Sequence, residues 1–377
     1  MSLKRILSLL VGGLFALWTL STILGGHGEI DRGHDVEAVP NTVHFVILGD
    51  KDHFKVNIVN WLAVWSAHHW MQPDAIYVHT NYDPSVISAA RTNPSDAYTR
   101  SLFRIPSVRF NHVVAPHATS NGTAFTGGWA HSSDFIRTEV MAEHGGVYLD
   151  SDSFLLRDLE PLRTSGYKMI VGRQRWGAVN LAAMLSVPSS TLMKTYHKLM
   201  DKTYNGSWGG HSFELLTRLV EIFQHKPREV LLLPQEALFP LSWDASDLPA
   251  LYQPVYNGPI PHIRYETDLG KAEEAFSWGD FHDEVKSPVI DWAKSYNVHG
   301  WLSGLFDTRY ISVATRREWF GSETGDINLD YLIRRESNFA NAVWPALRAA
   351  ILQGVVEVSQ EQKLAAITDA QLWPILS

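Results

Sequence analysis

Two carboxylates, Asp150 and Asp152, follow directly on the apolar run of GGVYLDSDSF at residues 145–154. Aspartate is a poor strand residue, and neighbouring negative charges repel. The pair therefore points to a cation, and removing one charge is expected to relieve repulsion in the metal-free protein. Val147, Tyr148 and Leu149 read as the end of a strand, and in open α/β sheets ligands gather outside the carboxyl ends of strands. On a continuing strand the two side chains would share a face, whereas a turn at Ser151 would converge them on one ion. Carboxylate oxygens suit Mg2+ or Mn2+, with phosphate oxygens filling other positions. A turn without a ligand is the plain alternative, because Asp-Ser-Asp is common turn chemistry. A calcium loop starting at Asp150 fails, since it needs Gly and Glu where this chain has Leu155 and Pro161. A phosphatase with an aspartyl nucleophile also uses Asp-x-Asp after a strand, although Phe154 stands where a small β-branched residue is expected.

The elements that must hold the pair alternate. VHFVILGD at 43–50 reads as a buried strand, HFKVNIVNWLAVWSAHHW as a helix and AIYVHT as a second strand. Such β-α-β alternation predicts a parallel sheet. PSVRFNHVVAP suggests a third strand. HSSDFIRTEVMAEHG has helical apolar spacing at Phe135, Ile136, Val140 and Met141, with Ser132 or Ser133 as its cap and Gly145 at its end. GVYLD, YKMIVGRQ, AAMLSVP and VLLLP read as further strands, and SSTLMKTYHKLMDKTY and SFELLTRLVEIFQHK as helices. From Tyr331 onward the pattern is strongly helical. No internal repeat interrupts the chain.

The context sharpens the acidic signal. SSDFIRTEVMAEHGGVYLDSDSFLLRDLEPL resembles the DXD-containing sugar-binding segment of family 32 glycosyltransferases, at Ser133, Asp134, Arg137, Gly145, Gly146, Tyr148, Asp150 and Asp152. VHFVILGDK looks like that family's first strand, and NLAAML, PQEALFPLSW and SYNVHGW resemble later blocks. The resemblance spans about residues 43–301 and does not extend to the tail.

It implies a GT-A fold, a nucleotide-sugar-binding α/β sandwich with a divalent metal, Mn2+ or Mg2+, and retention of anomeric configuration. By the same resemblance Asp150 and Asp152 hold the metal and act catalytically, and Tyr148 lies in the nucleotide-sugar site. Arg137 would place a fixed positive group near the diphosphate. Asp134, on the same helix face, would bind a sugar hydroxyl or orient Arg137. The plain alternative for Asp134 and Arg137 is an exposed ion pair worth little. His299 in NVHGW is either a further metal or phosphate contact or one more of 17 histidines. Asn180 is read beside the donor sugar or as a structural amide. Val46, Ile47 and Gly49 are read as touching the nucleotide base, with core as the alternative for the first two. UDP-Gal, UDP-GlcNAc, UDP-Glc and GDP-Man all stay open as donors. No residue stands out as a covalent nucleophile.

Composition bounds the rest. The 377 residues are 45% hydrophobic and 19% charged, which supports a sizeable core and argues against global disorder. A formal net charge of −8 argues against nucleic acid as a partner. Fourteen Trp lean towards carbohydrate, and the absence of Cys excludes disulfides and thiolate chemistry. Lys4 and Arg5 precede an uncharged run at 6–26, long enough to span a bilayer, with the basic side cytosolic. A cleaved signal peptide is the alternative. The expected organisation is a cytosolic stub and signal anchor at 1–26, a stem at 27–40, the GT-A domain at 41–305 and a mostly helical extension at 306–377. Asn121-Gly122-Thr123 and Asn205-Gly206-Ser207 match the glycosylation acceptor pattern.

The leading expectation is a type II membrane glycosyltransferase of the Golgi or ER. It would move a hexosyl unit from a nucleotide-sugar donor to a glycan or glycolipid acceptor. A lumenal phosphatase and a non-catalytic nucleotide-sugar-binding protein are the competing readings.

Overall fold

Alternating apolar residues let the central strands serve two cores at once. In the strand after Asn41, Val43 and Phe45 face one core and Val46 the other. The same holds before the acidic pair, where Val147 and Leu149 face the first core and Tyr148 the second. The computed structural model describes residues 37–49, 52–255, 290 and 292–372. Among them, a seven-stranded sheet runs in the order β3-β2-β1-β4-β7-β6-β8. Its strands are β1 (Thr42–Val46), β2 (Ala75–Thr80), β3 (Val108–His112), β4 (Gly146–Leu149), β6 (Met169–Arg173), β7 (Val179–Ser186) and β8 (Val230–Leu233). A two-stranded ribbon pairs β5 (Ser153–Leu155) with β9 (Asn297–His299).

The parallel sheet expected from the alternation is corrected to a mixed one. β1 to β4 are parallel, but β7 runs antiparallel to both β4 and β6, and β8 is parallel to β6. Direction is set by how the connections return, which strand periodicity does not encode. The reversal has a consequence for chemistry. It brings the start of β7, Val179 and Asn180, to the end of the sheet where β4 stops.

Helix α1 (Ile58–Met71) covers one face of the sheet, capped by the Asn57 side chain. The Trp65 indole donates to the Ala346 carbonyl of the C-terminal helix Asn338–Leu352 at 2.7 Å. Phe339, Trp344 and Leu347 of that helix join the core of β1 and α1. Helices α2 (Trp129–His144), α3 (Thr191–Thr203) and α4 (Phe213–Phe223) cover the other face. The cap expected at Ser132 or Ser133 is corrected as well. α2 begins a turn earlier, after Gly128, and the Ser132 hydroxyl donates instead to the Pro116 and Gly128 carbonyls. Among the described residues no helix is long and apolar enough to cross a membrane. The anchor expected at 1–26 lies outside them.

The Gly145-Gly146 pair joins α2 to β4 and aims the strand. Gly146 sits at φ +95, and a Cβ there would meet Thr42 Oγ1 at 2.6 Å and the Thr42 carbonyl at 2.8 Å. Gly146→Ala is expected to cost about 2 kcal/mol or more, from left-handed strain plus the clash with β1. A urea midpoint equal to the parent's would refute that account.

A buried imidazole chain lies between β1 and β2. Asn111 Nδ2 lies 3.0 Å from His79 Nδ1, and His79 Nε2 lies 3.0 Å from His44 Nδ1. Burial lowers His44 to about 3, helped by His79 and His144, and lowers His79 to about 4. The unfolded chain, with ordinary imidazoles near 6.5, therefore binds more protons than the folded one below that pH. Stability is full above about pH 6.5 and falls as pH drops towards 4, by up to about 1.4 kcal/mol per pH unit for each histidine. Unfolding measured at pH 7.5 and pH 5 should show this loss, and His44→Asn should flatten it. An equal pH slope in the variant would remove His44 as the cause.

Candidate active site

Tyr148 and Asp150 are two apart, so both point to the face that α2 covers. There the Arg137 guanidinium lies over the Tyr148 ring, 4.7 Å from its centre. Its Nη1 reaches Asp150 Oδ1 at 2.9 Å and its Nη2 reaches Asp134 Oδ1 at 3.2 Å. The Tyr148 hydroxyl donates to the same Asp150 oxygen at 2.7 Å. The Arg137 and Asp134 side chains are 8% and 13% exposed, so the exposed ion pair offered by the sequence is excluded. Arg137 is a buried hub, and its contacts with Asp150 and Asp134 keep it charged despite burial.

After Asp150 the chain turns, with the Ser153 N–H donating to the Asp150 carbonyl at 2.9 Å. The turn brings Asp152 back beside Asp150, the convergent alternative of the two weighed above. β5 then pairs with β9, placing Ser153 opposite His299. His299 Nε2 lies 3.0 Å from Asp152 Oδ1 and 3.7 Å from Asp150 Oδ2. The other Asp152 oxygen accepts the Leu302 N–H at 2.9 Å. That N–H is aimed by Trp301, whose backbone is left-handed at φ 52. Gly300 packs closely there, since a Cβ would meet the Asp152 carbonyl and the Tyr252 hydroxyl, each at 3.1 Å. The His299 ring packs on Trp301 at 4.1 Å.

One ligand atom each from Asp150, Asp152 and His299 lie within 4.8 Å of one another. Two carboxylates and an imidazole suit a hard or borderline divalent cation. The protonation pattern agrees. Burial pushes Asp150 up, against Arg137 and His299. Burial opposes ionisation of Asp152 too, but His299 and the Leu302 N–H hold it below its ordinary value. Burial pulls His299 down, yet the two carboxylates outweigh it and raise it. Positive charge is thus favoured at the point where the three side chains meet. The residues fit a metal ion there.

The remaining sequence candidates occupy the margins. Asn180 donates to Gln174 Oε1 at 2.6 Å and accepts the Ala182 N–H at 2.7 Å, while the Ala182 carbonyl accepts the Asp150 N–H at 2.8 Å. Val46 is buried with Tyr148 in the second core. Ile47 donates its N–H to the His79 carbonyl, and Gly49 exchanges two hydrogen bonds with Asn81. Among the described residues no hydrogen bond or ion pair joins these three to the acidic cluster.

Sequence reasoning missed two participants. The Leu302 N–H is a backbone group, which no motif names. His211 is fully buried, and its Nε2 lies 3.0 Å from Asp134 Oδ2. It stands 77 residues from Asp134, in a loop between α3 and α4, so nothing local marked it.

Residues 71–169, which contain Asp134, Arg137, Asp150 and Asp152, match the model of the glycosyltransferase sugar-binding region containing a DXD motif. The chain carries a glycosyltransferase DXD region. The match is shorter than the stretch over which the sequence resembles that family, and it leaves out β1 and His299. No curated protein sequence matches the chain. Among solved structures, the apo-form glycosyltransferase GlyE of Streptococcus pneumoniae is similar at 15% identity and a TM-score of 0.38, over 85% of this chain and 65% of that one. The chain thus spans about two thirds of the length of GlyE. An active-site mutant of LgtC is similar at 11% identity and a TM-score of 0.33, over 86% of this chain and 99% of that one. The PaToxG glycosyltransferase is similar at 13% identity and a TM-score of 0.37, over 51% of this chain and 70% of that one.

Proposed function

We propose that this enzyme is a metal-dependent, retaining glycosyltransferase with a GT-A-type domain. It moves a hexosyl unit from a nucleotide-diphosphate sugar to a glycan or glycolipid acceptor. The observation that carries the reading is the meeting of Asp150, Asp152 and His299 at the carboxyl end of β4, inside and beside the DXD region. A bound Mn2+ or Mg2+ would act as a Lewis acid on the departing diphosphate.

The chain's own residues prepare that step. Arg137 and Tyr148 hold one Asp150 oxygen, which leaves Oδ2 turned towards His299. The Leu302 N–H fixes one Asp152 oxygen and leaves the other at the imidazole. Three ligand atoms are thereby positioned before any ion or donor arrives, which lowers the ordering cost of binding. Asp134, held by Arg137 on one oxygen and His211 on the other, is a fixed acceptor for a donor-sugar hydroxyl.

The same reading places the enzyme in the secretory pathway as a Golgi or ER type II protein, anchored through residues 1–26. Both acceptor-pattern asparagines, Asn121 and Asn205, have exposed side chains, which supports a lumenal domain. The test is a donor screen of the fragment from residue 27 onward with Mn2+, using UDP-Gal, UDP-GlcNAc, UDP-Glc and GDP-Man. Chelator-sensitive nucleotide release from one donor is expected. No release from any of them, or release indifferent to chelation, would overturn the assignment.

A further inference from the structure

Among the described residues two tryptophans have left-handed backbones. Trp301 at φ 52 is buried and aims Leu302 at Asp152. Trp176 at φ 63 has no such internal duty, for its side chain is 72% exposed. A bulky residue held at positive φ costs on the order of 1 kcal/mol or more. An exposed indole recovers little of that by burial. The strain holds a large aromatic face out in solvent.

That face has company. Trp176 meets Trp243 edge-on at 6.1 Å, and Trp243 meets Tyr310 at 5.7 Å. Trp243 is itself 37% exposed. The Arg175 guanidinium lies over the Trp176 ring at 5.3 Å and is held in turn by Asp244 at 2.6 Å and Asp247 at 2.9 Å. Three chain segments therefore fix one aromatic surface.

Two runs of contacts tie the residues that carry this surface to the candidate site. On one side, the Trp176 turn joins β6 to β7, and Gln174, Asn180 and Ala182 lead by consecutive hydrogen bonds to the Asp150 N–H. On the other, the Trp243 backbone packs against Gly304, in the short turn that begins with Leu302. The patch is therefore tied to the acidic pair through β7 on one side and through Leu302 on the other.

We propose that Trp176, Trp243 and Tyr310 form the platform on which a neutral saccharide, the acceptor, stacks beside the transfer site. The proposal rests on the glycosyltransferase reading above. An aromatic face matches the apolar C–H face of a sugar ring and leaves its hydroxyls in water. The charged groups around the patch are Arg175 with Asp244 and Asp247, and Arg309 with Asp307, and they sum to one negative charge. That balance disfavours an anionic sugar. A second aromatic inclined at 64° to the first limits the ring's slide along the surface and so sets which hydroxyl approaches the donor.

The experiment needs no donor for its first arm. Saturation-transfer NMR is run with lactose and with the methyl glycosides of galactose, glucose, mannose and N-acetylglucosamine. At least one should bind, with affinity falling about tenfold in Trp176→Ala, the size of one aromatic contact. Trp176→Phe should recover part of the loss. In the second arm, with the donor that the screen identifies and the bound saccharide as acceptor, Trp176→Ala should raise the acceptor KM about as much as it weakens binding. The ratio of transfer to donor hydrolysis should then fall. Trp176→Gly should not lower the denaturation midpoint, because it releases the strain. Absence of saccharide binding, binding unchanged in Trp176→Ala, or a clear stability loss in Trp176→Gly would each overturn the proposal. If saccharide binds through Trp176 but no donor is ever cleaved, it is the glycosyltransferase reading that fails and not the platform.

Discussion

Asp152→Asn is expected to abolish transfer, by on the order of 10³-fold, while the fold survives. On the proposed function, the rate loss would be the several kcal/mol that a held divalent cation would contribute to departure of the diphosphate. The fold survives because an amide can keep both of the contacts the carboxylate makes. Its oxygen accepts the Leu302 N–H, now at 2.9 Å. Its NH2 then faces His299 Nε2, now at 3.0 Å from the carboxylate, and the imidazole answers by taking its other neutral tautomer. The stability change should stay below about 1.5 kcal/mol, one hydrogen bond's worth. Nucleotide release with Mn2+ and a urea titration measure the two quantities. Activity within tenfold of the parent, still abolished by chelator, would take Asp152 out of the metal site.

Arg137→Ala is expected to cost about 3–5 kcal/mol of stability, the penalty for stranding buried charges without their partner. Arg137 is 8% exposed and bonds two carboxylates at once, Asp150 at 2.9 Å and Asp134 at 3.2 Å. An exposed i,i+3 pair would cost under about 1 kcal/mol. Arg137→Lys should fall between the two, keeping charge but losing the planar fork. Asp134→Asn should soften the effect of Arg137→Ala, since one stranded carboxylate is gone and the two sites are coupled. The readout is the urea midpoint of the parent, the three single variants and the Asp134→Asn/Arg137→Ala double variant. A loss under about 1 kcal/mol in Arg137→Ala would mean that the guanidinium is not the hub of this site. The same geometry reverses one expectation drawn from the sequence. Asp150→Asn does not simply relieve repulsion between neighbouring acids, because Asp150 already answers Arg137 and the Tyr148 hydroxyl.

Much of the site was legible because it is local. Asp134, Arg137, Tyr148, Asp150 and Asp152 lie within one helix–strand–turn unit, where helical and strand periodicities decide which side chains share a face. The Gly145-Gly146 junction was legible for the same reason, as the end of a helix. His299 was ambiguous by sequence among 17 histidines. What singles it out is the pairing of β5 with β9, which sets Ser153 opposite His299 across 146 residues of chain. His211 and the Leu302 N–H left no local trace at all.

The two-sided strands, the helices between them and the acidic pair at the end of β4 each follow from patterns a few residues long. Long-range packing is what turns β7 backwards, converges Asp150 and Asp152 through a turn, and buries Arg137 between two acids. It also decided that Trp176 stands in solvent on a left-handed backbone. Those outcomes depend on which distant segments meet, and therefore on packing and strand pairing across the whole chain, for which local propensity carries no term.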